Sequence, residues 1–268
     1  MQSLSSITIK RLINDVKFLL KNPLTSENIF YKHDENNILI GYALIIGLKN
    51  TPYENGNFLF KFNFPENYPF SPPKVEFYSN DGSTRFNPNL YTNKYVCLSI
   101  LNTWKGEGWT SCQSIYSILL SLQSILNENP LLNEPGIPET HKNIKIYNNF
   151  IIYKSFEFTV LKFIEYIINI SITKNNDDQY KEIIKLDENK IKFLDYFECF
   201  FKDMLINFYN NIDNFYSLLE NKLFDDSILV CSTFGLNCKV KNKNILKTKI
   251  DKFKNLIEKY KLIDSIEN

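Results

Sequence analysis

The stretch Asn57-Phe58-Leu59-Phe60-Lys61-Phe62-Asn63-Phe64-Pro65-Glu66-Asn67-Tyr68-Pro69-Phe70-Ser71-Pro72-Pro73-Lys74-Val75-Glu76-Phe77-Tyr78 decides how this chain folds. Residues 57–64 and 74–78 are dominated by aromatic and apolar side chains suited to strands. The prolines between them fix φ and remove backbone donors, so the chain must turn there. A third strand-like segment, 38–48, lies upstream and reaches this stretch through Asn50-Thr51-Pro52-Tyr53-Glu54-Asn55-Gly56. Connections this short favour an antiparallel meander over parallel pairing, which needs long crossovers.

Further upstream, Ile7, Ile9, Leu12, Ile13, Val16, Leu19 and Leu20 recur at helical spacing, with Lys10, Arg11 and Lys17 among them. This predicts an amphipathic first helix that stops near Asn22-Pro23. Downstream, Thr110 and Gln113 fit a capping box. Ile115, Ile118, Leu119, Leu122, Ile125 and Leu126 would form the buried stripe of a second helix. Residues 143–170 read as a strongly apolar helix, and 180–224 and 244–266 as mainly helical. The polar run Lys174-Asn175-Asn176-Asp177-Asp178-Gln179 suggests a boundary, so the expected domains are 1–170 and 171–268. The fold class is α+β, a four-stranded antiparallel meander with helices and a mainly helical C-terminal extension.

The chain has 268 residues, 44% of them hydrophobic, enough to bury a sizeable core. With 31 basic and 30 acidic residues, its net charge of +1 gives no general attraction to nucleic acid or anionic membranes. The longest apolar run, 38–46, is too short to span a bilayer. Five cysteines, at 97, 112, 199, 231 and 238, do not make a disulfide framework in a chain of this length. His33 and His141 are far apart in sequence, and Cys231 and Cys238 have poor zinc spacing, so no metal site is expected. With no apolar signal region at the N-terminus, the expected location is intracellular: the cytoplasm, with the nucleus also open.

Cys97 is the candidate nucleophile. It follows an Asn87-Pro88-Asn89 turn and a short polar loop, and opens the apolar run Val96-Cys97-Leu98. The amide of Asn89, eight positions upstream, can fold back towards the sulfur. A thiol in this setting can carry an acyl group as a thioester.

Several motifs together resemble the ubiquitin-conjugating enzyme family over roughly residues 7–165. They are Thr51-Pro52-Tyr53-Glu54-Asn55-Gly56, Phe60-x-Phe62-x-Phe64-Pro65, Tyr68-Pro69-Phe70-Ser71-Pro72-Pro73-Lys74-Val75, Asn87-Pro88-Asn89 and Val96-Cys97-Leu98-Ser99-Ile100-Leu101. Arg85-Phe86, the insertion 102–109, and Glu128-Asn129-Pro130 with Asn133-Glu134-Pro135-Gly136 resemble its larger Z-type subgroup, which also has a helical extension.

The resemblance implies a carrier that accepts ubiquitin or a ubiquitin-like protein from an activating enzyme onto Cys97, then passes it to a substrate lysine, with or without a ligase. It implies Asn89 as oxyanion donor or loop brace, and Glu134, with Glu128 second, as the carboxylate that orients the amine. It implies that Lys10, Arg11 and Lys17 meet the activating enzyme, and that Phe70 and the loop at Ser111 meet a ligase. No cofactor is implied, since ATP is used upstream by the activating enzyme. The alternative is a non-catalytic binding module or adaptor of the same fold, against which Cys97 itself speaks.

The chain departs from the family pattern at several points. Asn87 stands where histidine is usual, Ser99 where aspartate is common, and Lys94 where glycine is common; Thr110-Ser111-Cys112 replaces Ser-Pro-Ala. Cys112, Trp104 and Trp109 read as packing residues. The lysine-rich stretch 239–261 reads as a solvated helix face, so nucleic acid is not expected as a partner.

Overall fold

The computed structural model describes residues 4–174, 191–220, 224 and 228–264. The chain forms two compact units, Met1–Ile144 and Lys145–Asn268. The sequence-based division at 170/171 differs from this one. Residues 143–174 wind without a break, so the last stretch assigned to the core by sequence belongs with the C-terminal helices. Nearly all of the polar run that suggested the later boundary lies outside the described residues.

The first unit opens with α1 (Ser6–Lys21), capped by Ser5, whose side chain accepts from Ile7 N–H. Its buried residues Thr8, Leu12, Asp15 and Leu19 share one face at helical spacing. Four strands come next: β1 (Ile29–His33), β2 (Ile40–Ile46), β3 (Asn57–Asn63) and β4 (Lys74–Phe77). They pair antiparallel in the order β1-β2-β3-β4, the expected four-stranded meander. Leu44 faces Leu59, Ala43 faces Phe60, and Phe60 faces Phe77. These side chains are fully buried. At about 1.5–3 kcal/mol for each large apolar side chain, they make the sheet a rigid base for the loop that leaves β4.

The helix expected from Thr110 starts later, as α2 (Ile115–Ser124). Only half of the predicted box forms: Thr110 N–H donates to Gln113 Oε1 at 2.9 Å, but Gln113 N–H donates to the Thr110 backbone carbonyl at 3.0 Å, closing a turn. Arg11 explains why: its guanidinium takes the carbonyls of Ser111 (2.6 Å) and Gln113. In a helix these carbonyls would serve the next turn. The helix starts instead behind Ser114, whose N–H donates to Ser117 Oγ at 2.9 Å.

In the second unit, α3 (Asn143–Lys154) leads into a π-helical stretch, Ser155–Lys162, and then α4 (Phe163–Lys174). A 3-10 stretch, Lys192–Phe200, precedes α5 (Phe201–Asn210), α6 (Ile212–Leu219) and α7 (Lys243–Lys259). Phenylalanine rings tie this unit together: Phe156 meets Phe215, and Phe208 meets both Phe215 and Phe253. A hairpin of β5 (Ile228–Cys231) and β6 (Leu236–Lys239) lies between the two stretches expected to be helical, 180–224 and 244–266. The expected helix over 180–190 lies outside the described residues.

Buried Glu157, within the π-helical stretch, gathers Lys241 at 2.8 Å, Lys154 at 3.3 Å and Lys162 at 3.8 Å. Burial alone would raise this carboxyl, but the three lysines hold it below its ordinary range.

Candidate active site

The segment 85–103 is built as a braced loop on the first unit. Asn87, fully buried, anchors it. Its Nδ2 donates to Tyr53 Oη (2.9 Å) and Ile125 O (2.7 Å), and its Oδ1 accepts from Asn89 N–H (2.9 Å). Tyr53 in turn donates to Phe86 O at 2.7 Å. Asn133 joins from the far side, donating to Ile125 O at 3.0 Å and Asn87 Oδ1 at 3.4 Å.

Asn89 and Cys97 are locked by reciprocal bonds. Cys97 N–H donates to Asn89 O at 2.9 Å, and Asn89 Nδ2 donates to Cys97 O at 2.7 Å. The Asn89 side chain therefore braces the backbone at Cys97. An amide nitrogen has two hydrogens, so one remains beyond this bond. Asn89 Oδ1 is buried with no hydrogen-bond partner among the described residues.

Between these two residues the chain turns at Lys94, with φ of 72°. That left-handed conformation is costly for a side chain with a Cβ, which accounts for glycine being common there in the family. Lys94 is held by the turn bond from its N–H to Tyr91 O (3.0 Å) and by its ammonium, 4.0 Å from the centre of the Tyr78 ring.

Cys97 is 5% exposed, and its Sγ donates to Thr103 O at 3.3 Å. Burial pushes the thiol up; the Arg85 charge pulls it down, and the Glu134 charge pushes it up again, with a net rise. Both charges are therefore within electrostatic reach of the sulfur. Arg85 is held over the Tyr91 ring at 3.3 Å and donates to Asn87 O (3.2 Å) and Pro88 O (2.5 Å). Glu134 directly follows Asn133, whose Oδ1 accepts from Asn127 Nδ2 at 3.0 Å and whose Nδ2 donates to Asn87.

The insertion 102–109 closes on itself where Trp109 N–H donates to Asn102 Oδ1 at 2.7 Å. The Trp109 indole donates to Pro69 O at 2.7 Å and lies against Tyr68, the expected packing role. Trp104 is 50% exposed and Cys112 is exposed, so neither is the packed residue that sequence reading made it. Cys112 sits in the Arg11-held turn, outside the buried stripe of α2.

Among the residues expected to meet partners, Phe70 is 65% exposed, and Lys10, Lys17 and Ser111 are exposed. Arg11 is turned inward instead. Besides the two carbonyls, it donates to Asp15 Oδ1 at 2.8 Å. Sequence reasoning missed the contributions of Thr103 and Asn133, and the charge of Arg85. All three lie in the quoted subgroup motifs, but their roles act through contacts that the sequence alone does not show.

The first unit is thus an α+β unit that braces one buried cysteine eight residues beyond an Asn-Pro-Asn turn. The family model "Ubiquitin-conjugating enzyme" matches residues 11–151, more than half of the chain, and the chain belongs to that family. It is 40% identical over 164 residues to "Ubiquitin-conjugating enzyme E2 Z" of Xenopus tropicalis, covering 60% of this chain and 52% of that protein. The human protein of the same name is 42% identical over 158 residues, covering 58% and 44%. The human "Dual E2 ubiquitin-conjugating enzyme/E3 ubiquitin-protein ligase BIRC6" is 48% identical over 118 residues, covering 42% and 2%. The chain spans about half the length of the E2 Z relatives it matches.

Proposed function

We propose that this protein accepts ubiquitin or a ubiquitin-like protein as a thioester on Cys97 and transfers it to a lysine amine. The observation that carries this reading is the reciprocal Asn89–Cys97 clamp, which presents one thiol with Arg85 and Glu134 in electrostatic reach.

The reaction is built on that geometry. The Cys97 thiolate attacks the carbonyl carbon of the modifier's thioester on the activating enzyme. The tetrahedral intermediate collapses by expelling the activating enzyme's thiolate, which takes up a proton equivalent to the one Cys97 lost. In the second step a neutral lysine amine attacks the Cys97 thioester. The nitrogen loses a proton, an amide bond forms, and the sulfur leaves and regains a proton. A lysine with an ordinary pKa of about 10.4 is rarely neutral at pH 7, so the amine needs help to shed its proton. That help is assigned to Glu134, whose charge is felt at Cys97. The remaining Asn89 N–H is the donor for the oxyanion, and losing one such donor costs on the order of 10²–10³ in rate.

Lys10 and Lys17 on the exposed side of α1 are assigned to the activating enzyme, and Phe70 with Ser111 to a ligase. The test incubates the full chain with an activating enzyme, ATP and a panel of modifiers. A reductant-sensitive adduct with one of them is expected. No adduct with any modifier would overturn the proposal.

A further inference from the structure

Thr103 opens the insertion, and no step of the proposed reaction uses it. It nevertheless bonds to Tyr95, Val96, Cys97 and Leu98. Its carbonyl accepts Cys97 Sγ–H at 3.3 Å and Tyr95 Oη–H at 3.2 Å. Its hydroxyl accepts Leu98 N–H at 2.8 Å and shares its single hydrogen between Val96 O at 2.8 Å and Leu98 O at 3.0 Å. Its own N–H donates to Leu98 O at 3.2 Å. One side chain thus grips the backbone immediately before and after the nucleophile, while the same residue's carbonyl holds the sulfur.

The two grips depend on each other. A hydroxyl bonded to both neighbours of Cys97 fixes the distance from the 96–98 backbone to residue 103. With that distance fixed, the carbonyl stays on Sγ. A carbonyl oxygen accepts from S–H but repels S⁻, so this bond exists only while the sulfur is protonated. We propose that Thr103 is a positioning residue whose hydroxyl clamp keeps its carbonyl on Cys97, latching the nucleophile as a thiol at rest and fixing where the sulfur stands for attack. The inference rests on Cys97 being the acyl carrier. The consequence is a nucleophile guarded against stray electrophiles, which must release the latch to become the reactive thiolate.

A role limited to stapling the loop would give slower charging when the staple is cut. It would also ease ionisation wherever the loosened loop exposes the sulfur, so the variant that separates the two is Tyr95→Phe, which leaves the staple intact. The experiment therefore reads alkylation of Cys97 by iodoacetamide in the full-length chain, site by site by mass spectrometry, over about pH 6 to 10.

In Thr103→Val the shape is kept and the clamp is lost. The midpoint of the Cys97 profile is expected to fall by about half to one pH unit, which is about 3- to 10-fold faster alkylation near pH 7. Charging by the activating enzyme is expected to slow by about 10-fold or more, because the sulfur is no longer held in place. Thr103→Ser keeps the hydroxyl and is expected to restore both. A folded Thr103→Val protein whose midpoint stays put or rises, or a serine variant that restores neither, overturns the proposal.

Whether or not Thr103→Val folds, Tyr95→Phe decides. Tyr95 is half exposed, and its phenol shares the Thr103 carbonyl with the sulfur. Removing that phenol leaves the carbonyl to Cys97, so the midpoint is expected to rise; an unchanged or lowered midpoint overturns the latch. Alkylation needs no activating enzyme. A wild-type chain that is never charged would therefore refute the carrier reading, while the alkylation profiles would still decide the role of Thr103.

Discussion

Replacing Asn87 with alanine should cost more than any other single change in the active-site loop. The side chain is fully buried and satisfies four partners: Tyr53 Oη, Ile125 O, Asn89 N–H and, at a longer 3.4 Å, Asn133 Nδ2. After truncation, Tyr53 still donates to Phe86 O and Ile125 O still accepts from Asn133. Asn89 N–H is left without an acceptor. Three well-made bonds at about 1 kcal/mol each, plus about 1–3 kcal/mol for the orphaned N–H, give about 4–6 kcal/mol. That is a large share of the roughly 5–15 kcal/mol by which a domain is stable. The melting temperature should drop by about 10 °C or more. Histidine, the family's usual residue here, has one ring acceptor for Asn89 N–H and one donor for either Tyr53 or Ile125. Asn87→His should therefore lose about half as much. Equilibrium urea unfolding of the three proteins measures this directly. A loss of under about 1 kcal/mol in Asn87→Ala would refute the claim that this side chain anchors the loop.

The geometry makes three further outcomes testable. Glu134→Gln removes a charge that raises the Cys97 thiol, so the thiol should ionise more easily, while discharge of the loaded protein to lysine slows by about 10²-fold or more. Stopped-flow charging and single-turnover discharge would separate the two, and a parallel change in both would contradict this assignment. Glu157→Gln should destabilise the second unit by about 2 kcal/mol at neutral pH, discounted for the partial exposure of Lys162 and Lys241. Because the folded carboxyl lies below its ordinary value, that stability is full above about pH 4.3 and is lost as pH falls through the folded value. Wild-type and variant stabilities, followed by denaturant unfolding, should thus converge in acid; a gap that stays constant would count against the lysine cluster. Arg11→Ala should cost about 2–3 kcal/mol by freeing the turn before α2 and leaving Asp15 without its ion pair, whereas Lys10→Ala should change thermal stability by under about 0.5 kcal/mol.

The meander was legible because aromatic strands and prolines act locally. Lys74–Phe77 could only resume a strand after Pro72-Pro73. β1 was harder to read, being five residues entered from Asn28 at a positive φ of 59°. The start of α2 was misread because Thr110 and Gln113 close half of a capping box, while the carbonyls needed to extend it are taken by Arg11, 100 and 102 positions upstream. The β5–β6 hairpin went unread because each strand has only four residues; of the two positive-φ residues between them, Phe234 gives no turn signal and Gly235 alone marked the turn. Within the site, Cys97 and Asn89 stood out through their motifs. Thr103 did not, since its bonds to residues 95–98 exist only once the insertion folds back. Trp104 looked like a core residue in composition, and only the closed loop shows it facing outward.

Charging of Cys97→Ser, set beside charging of Cys112→Ser, tests the central claim most directly. Serine at position 97 should hold the modifier as an oxyester that resists reductant and yields to hydroxide, and Cys112→Ser should charge as the unaltered protein does. A reductant-sensitive adduct that survives in Cys97→Ser, or one lost in a folded Cys112→Ser protein, would show that the acyl group is carried elsewhere.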